Sequence, residues 1–237
     1  MELTLEQIQN FKGKYPKQLW SLFTVEMWER FCFYGMRGVL TYFMVDQLLL
    51  KDDVANLQYG AIQAFVYAFT FIGGIFADKI LGFKKSLFFG GMVMILGNLL
   101  IAIAPKEMFY YGIAFSIIGT GFFKPNVSSM VGELYHEDDP RRDAGYGMFY
   151  AGINIGGFLG GILCIYLGKY YSWQLCFLAS AIVMVLGLLT FLFTKNKLGP
   201  IGNSPLSHLP KTKRLTKEIL VYALSLLSIP LIFIMVK

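Results

Sequence analysis

Glu26, Glu29, Arg30 and Arg37 are four charges set inside the otherwise apolar stretch WSLFTVEMWERFCFYGMRGVLTY, Trp20–Tyr42. On a helix of 3.6 residues per turn, Glu26, Arg30, Phe33 and Arg37 fall near one face, with Glu29 and Tyr34 on its flanks. Each charge at bilayer depth costs roughly 2.5–3.5 kcal/mol on insertion scales, so this face is expected to pair internally or line a water-filled path. Carboxylates beside guanidinium groups can take up a proton and change salt-bridge partner, the chemistry of a proton or ion pathway. A further charge lies in GTGFFKPNVSSMVGELY, Gly119–Tyr135, where Lys124 immediately precedes Pro125. Proline removes a backbone hydrogen bond and disfavours helix at the residue before it, which predicts a kink or local opening at Lys124. Glu26 stands nine residues from Lys17, and Lys124 nine from Glu133. At about 1.5 Å per residue the two share one depth, which makes Lys124 the expected counter-ion of Glu26 or Glu29. A static neutralising pair would need fewer groups than two acids and three bases (Arg30, Arg37, Lys124), so the pathway reading is preferred.

These charges need apolar helices to hold them. Hydrophobic residues make up 56% of the 237 and the mean hydropathy is +0.56, above the roughly 45–50% apolar content of soluble domains. The chain therefore reads as an all-α, polytopic membrane protein. Spans of about 20 apolar residues are predicted near 17–50, 58–80, 85–104, 108–131, 144–170 and 172–194, with a seventh run at 219–236. Alternate connections hold fourteen Lys and Arg on one side (Lys12, Lys14, Lys17, Lys79, Lys84, Lys85, Arg141, Arg142, Lys195, Lys197, Lys211, Lys213, Arg214, Lys217) and three on the other (Lys51, Lys106, Lys169). The positive-inside rule then places the N-terminus in the cytoplasm of a multi-pass inner (plasma) membrane protein. The division expected is residues 1–194 as a six-helix bundle, 195–217 as a cytoplasmic linker and 218–237 as the start of a further membrane helix.

The net charge of +6 comes from residues between apolar runs rather than from a basic soluble module, which excludes nucleic acid as a partner. Cys32, Cys164 and Cys176 lie in apolar runs without a CxxC pair, and His136 and His208 fall in polar connections, so neither a disulfide framework nor a metal site is expected. Residues 1–17 have no continuous apolar core of a signal peptide. Two more motifs stand out. In GGIFADKILGFKK, Gly73–Lys85, Asp78 with Lys79, Lys84 and Lys85 around a glycine turn reads by itself as a solvated loop; in FYAGINIGGFLGG, Phe149–Gly161, Asn154 is a lone amide that either bonds another helix or serves a polar ligand. Tyr34, Tyr67 and Tyr150 offer hydroxyls on apolar bodies.

Gly73–Lys85 resembles the loop between the second and third helices of the major facilitator superfamily. EMWERFCFYG resembles the ExxERFxYY-type motif of the proton-dependent oligopeptide transporter family, and Gly119–Tyr135 and Phe149–Gly161 are similar to that family's two signature stretches. The resemblance spans Tyr15–Thr194. It implies the six-helix N-terminal bundle of the major facilitator fold, with a seventh hydrophobic helix, in a symporter of protons and di- or tripeptides working by alternating access. It implies proton coupling through Glu26, Glu29, Arg30 and Lys124, peptide binding by Arg37, Tyr34, Tyr67, Lys124 and Asn154, and gating by Asp78, Lys84 and Lys85. The proton gradient would drive it without a cofactor. Two departures are Phe33, where the family carries one of paired tyrosines, and the lack of histidine between Tyr59 and Ile80, which leaves coupling to carboxylates. The family's second helical bundle, with its glutamate for the peptide amine, is missing from this chain, which reads as truncated. An anion or drug carrier of the same superfamily and a non-transporting scaffold are the alternatives. A membrane-embedded enzyme using Glu26 and Glu29 lacks any accompanying nucleophile, metal site or phosphate loop.

Overall fold

The computed structural model describes residues 3–237. It opens with a short helix, α1 (Leu5–Gln9), whose start is closed reciprocally: the Gln7 amide donates to the Thr4 hydroxyl and the Thr4 amide to the Gln7 side chain. Pro16, which carries no amide hydrogen to leave unpaired, then starts α2 (Lys17–Asp46). There follow α3 (Asp52–Phe76), α4 (Phe83–Ile103), α5 (Phe109–Glu133), α6 (Arg142–Tyr170), α7 (Trp173–Thr194), α8 (Lys211–Leu227) and α9 (Ile229–Val236). No strand occurs among the described residues.

Two boundaries differ from the hydropathy reading. The second span starts at Asp52, six residues before Gln58, because Asp52 and Asp53 sit in its first turn where carboxylates favour the positive helix end. The seventh run is two helices broken at Ser228, just ahead of Pro230, and its first helix reaches back to Lys211 through basic residues. The proline inside α5 does not interrupt it; helix continues on both sides of Pro125. The amide that proline lacks would have bonded Gly121, and it is at Gly121 that α3 comes closest: a Cβ on Gly73 would overlap the Gly121 carbonyl.

Among the described residues, five helical stretches are long and apolar enough to cross a membrane: 52–81, 83–103, 142–170, 173–198 and 211–236. The two remaining long helices, α2 and α5, fall short in composition because they carry the buried polar residues. They are also the most enclosed. α2 packs on α6 and α7, α5 on α3 and α4, and α4 on α7, while α2 and α5 touch only slightly. The order around the bundle is thus α3, α5, α4, α7, α2, α6, with α3 and α6 left apart. One apolar cluster, with Phe43 stacked on Phe109 at 4.9 Å and edge-on to Phe177, fills the end away from the N-terminus. A second, including Leu19, Leu22, Val127 and Phe191, fills the basic end. Between them on α2 lie Glu26, Glu29 and Arg30.

Candidate functional site

α2 and α6 approach closely at Gly156, where any Cβ would overlap the Met27 carbonyl and press on the Arg30 Cβ at 3.1 Å. That contact seals the back of Arg30. Glu26, Glu29 and Arg30 are all at most 2% exposed. Arg30 Nε lies 2.9 Å from Glu26 Oε1 and 2.5 Å from Glu29 Oε2, so a single guanidinium holds two carboxylates. These are charge contacts rather than aligned hydrogen bonds, for Glu26 Oε2, both Glu29 oxygens and Arg30 Nη2 are buried without a hydrogen bond from the protein. Incompletely bonded charges in a low-dielectric interior are costly to hold and respond strongly to a proton or to a new partner.

Lys124 does not pair with either acid, contrary to the depth count. It is half-buried on α5, with Nζ 5.5 Å from the centre of the Tyr67 ring on α3, and has no ion pair among the described residues. The reason is lateral. Glu26 and Glu29 share a helix with Arg30 and reach it without crossing space, whereas α5 meets α2 only marginally. Lys124 thus stands apart from a cluster that carries two acids on one base.

The other expected residues lie at different heights along the helices. Tyr34 is half-buried against Gly157 of α6 and edge-on to Phe33, with ring centres 5.3 Å apart. Arg37 donates from Nε to the Tyr59 hydroxyl of α3 at 2.7 Å, linking α2 to α3 one turn further along. Tyr67 is exposed. Asn154 is exposed and has no hydrogen bond among the described residues, so it bonds no neighbouring helix. Asp78 is exposed on the π-helical turn Ala77–Leu81, with no ion pair among the described residues. Lys84 and Lys85 engage the segment after α7 instead: Lys84 Nζ donates to the Gly199 carbonyl at 2.6 Å and to Asn203 Oδ1 at 3.0 Å, and Lys85 pairs with Glu218 of α8 at 2.5 Å.

Four buried polar residues escaped the sequence reading. Asn126 donates to Ser86 Oγ at 2.7 Å and to the Phe122 carbonyl at 2.6 Å, tying α5 to α4 just past Pro125. Asn98 donates to the Met94 carbonyl of its own helix at 2.9 Å. Gln58 accepts from the Tyr110 hydroxyl at 2.9 Å. Asn98 is a single polar side chain in an apolar run, a usable signal though one that marks helix contacts as readily as ligand contacts, whereas Gln58, Ser86 and Asn126 stand beside other polar residues that mask them. No cluster of His, Cys, Asp and Glu able to hold a metal occurs among the described residues.

Comparison with known proteins gives a consistent picture. Residues 84–216 match the family described as the POT family. The chain is 39% identical over 197 residues to the uncharacterized transporter YclF of Bacillus subtilis, covering 80% of this chain and 40% of that one. It is 34% identical over 194 residues to dipeptide and tripeptide permease A of Proteus mirabilis, covering 81% of this chain and 40% of the permease. Among solved structures, the peptide transporter POT in complex with sulfate superposes with a TM-score of 0.82 at 34% identity, over 97% of this chain and 49% of that one. A POT family transporter in complex with 5-aminolevulinic acid superposes with a TM-score of 0.83 at 30% identity. The chain spans about half the length of the structures and two-fifths of the relatives that it matches.

Proposed function

This chain belongs to the POT family, and we propose that it forms the N-terminal bundle of a symporter that carries di- and tripeptides with protons. The fold is the six-helix bundle of the major facilitator type with a further helical segment, in a multi-pass membrane protein. The observation that carries the proposal is the buried pairing of Glu26 and Glu29 on Arg30, with Lys124 held apart from them. A proton on Glu29 loosens its hold on Arg30. The peptide carboxylate, arriving between Lys124 and Arg37, completes the exchange, and one bundle then rocks against the other. Asn154 and the hydroxyls of Tyr34 and Tyr67 hydrogen-bond the peptide backbone. Lys84 and Lys85, clasping the segment after α7, and Asp78 form the gate at the basic end, which faces the cytoplasm of the inner (plasma) membrane. No cofactor takes part; the second bundle supplies the acid for the peptide amine.

Support comes from relatives named dipeptide and tripeptide permease and from neighbours solved with peptide-like ligands. The test is uptake of labelled dialanine by cells expressing the full-length protein under an inward proton gradient. Accumulation competed by other dipeptides, but not by free alanine, and abolished by a protonophore is the expected result. Uptake indifferent to the gradient, or competed only by inorganic anions or drugs, would overturn the assignment.

A further inference from the structure

We propose that the basic end of the bundle carries a site for an anionic glycerophospholipid, between α4, α7, the segment after α7 and the start of α8. A cavity of about 710 Å³ opens there. Four cations line it, Lys84, Lys85, Lys195 and Arg214, and no carboxylate does. Their engagements differ. Lys84 bonds Gly199 and Asn203, and Lys85 is taken by Glu218 at 2.5 Å. Arg214 Nε stands 3.6 Å from that same Glu218 oxygen, too far for a hydrogen bond. The Lys195 side chain has no ion pair or hydrogen bond among the described residues. A single acid thus serves two cations while a third has none, and the missing complement is an anion.

The apolar part of the cavity identifies the kind of anion. Phe88 and Met92 line it and, with Leu96, repeat every fourth residue along the outer face of α4 at 36%, 42% and 47% exposure. On α7, Leu192 in the lining is continued by exposed Leu189 and Val185. The two stripes extend roughly 12 Å from the cations into the membrane-spanning depth of the bundle, the direction an acyl chain takes from its headgroup. A soluble phosphate would satisfy the cations and leave this groove unused; a zwitterionic lipid would fill the groove and bring its own cation toward Lys195 and Arg214. A lipid of the phosphatidylglycerol type satisfies both parts. The site needs only the membrane-spanning fold, and its failure or success leaves the transport reading untouched.

The test is native mass spectrometry of the full chain in detergent with phosphatidylglycerol, phosphatidylethanolamine and phosphatidylcholine of identical acyl chains, and with glycerol 3-phosphate as the headgroup alone. Phosphatidylglycerol adducts exceeding the other two are expected. Changing Lys195→Gln and Arg214→Gln together is expected to lower phosphatidylglycerol binding about tenfold and leave phosphatidylcholine binding as it was. The charge-preserving pair Lys195→Arg and Arg214→Lys should retain the preference. Equal binding of the three lipids by the unaltered chain would overturn the proposal without appeal to any variant. So would a preference that survives loss of both cations, or displacement of the lipid by equimolar glycerol 3-phosphate.

Discussion

Arg30 is the residue on which the others depend, since its guanidinium is in contact with both buried carboxylates. Lys124 has a different standing: it makes no ion pair among the described residues, and on the proposed reading it receives an incoming anion. Replacing Lys124 by alanine should abolish proton-driven dipeptide uptake while leaving folding nearly intact, because no ion pair is broken. Arg30→Ala, by contrast, strands two buried acids, and losing one member of a buried pair costs about 3–5 kcal/mol, so that variant should fail to reach the membrane folded. Uptake at the unaltered rate by the Lys124→Ala protein would remove Lys124 from the coupling cycle. At Asn154 and Tyr34 the stakes are single neutral hydrogen bonds, each worth about 0.5–1.5 kcal/mol. Asn154→Ala and Tyr34→Phe should therefore raise the dipeptide KM several-fold with little change in expression, and an unchanged KM in both would assign them to packing.

The helices are positioned by close contacts that tolerate little. A side chain at Gly156 must displace the Met27 carbonyl, which is backbone and cannot turn aside. Gly156→Val should cost roughly 1–3 kcal/mol and lower the melting temperature in detergent by several degrees, while Gly161→Ala, with open space around it, should melt with the parent. Equal melting of the two would show that α6 slides on α2 without penalty. A second contact fixes the N-terminal segment. Arg141 donates to the Phe11 and Gly13 carbonyls, lies 4.0 Å from the centre of the Phe11 ring, and is itself oriented by Asp139. The hydrogen bonds from Arg141 hold the Asp139 carboxyl down to about 2. A depressed acid contributes stability above its unfolded value, near 3.9, and loses it only as the pH falls through about 2. This tether is therefore constant between pH 5 and 8, and any pH dependence of uptake there must arise elsewhere. Arg141→Lys, which loses the planar fork, should speed tryptic cleavage at Lys12 and Lys14 about tenfold relative to the parent at every pH in that range; a ratio of the two rates that changed with pH would contradict the assignment.

For the whole molecule, α3 and α6 stand apart at the two ends of the helix order, so among the described residues no helix closes the face between them. On the proposed reading Arg37 and Lys124 offer positive charge to a peptide carboxylate, while Glu26 and Glu29, the acids beside them, are already held by Arg30. Forgoing the charge-assisted bonds to the peptide amine costs roughly 1.5–3 kcal/mol, and alternating access requires two bodies that move against each other. Proteoliposomes holding residues 1–237 alone, under an inward proton gradient, should take up labelled dialanine to equilibrium at most; accumulation beyond it would show that these residues suffice, for instance as a dimer.

Much of this was legible in the residues. Alternating apolar runs and lopsided basic connections specify membrane helices and their order, because the cost of burying backbone and charge in hydrocarbon depends on composition and length. The same cost marks α2 and α5 as helices that must turn inward, and the motif residues around Glu26, Lys124 and Asn154 indicate the family. Lateral placement is another matter. Depth counting puts Glu26 level with Lys124, yet the carboxylates pair with Arg30, since an ion pair depends on side-chain reach across a separation that rise per residue does not contain. Residues 195–217 read as a cytoplasmic linker, but Leu198 and Ile201 are buried and Ser204 donates to the Ile80 carbonyl. Their burial has no periodicity of its own; it exists only because the ends of α3, α4 and α7 assemble a surface for them, and that surface is a property of the packed bundle rather than of any one stretch of chain.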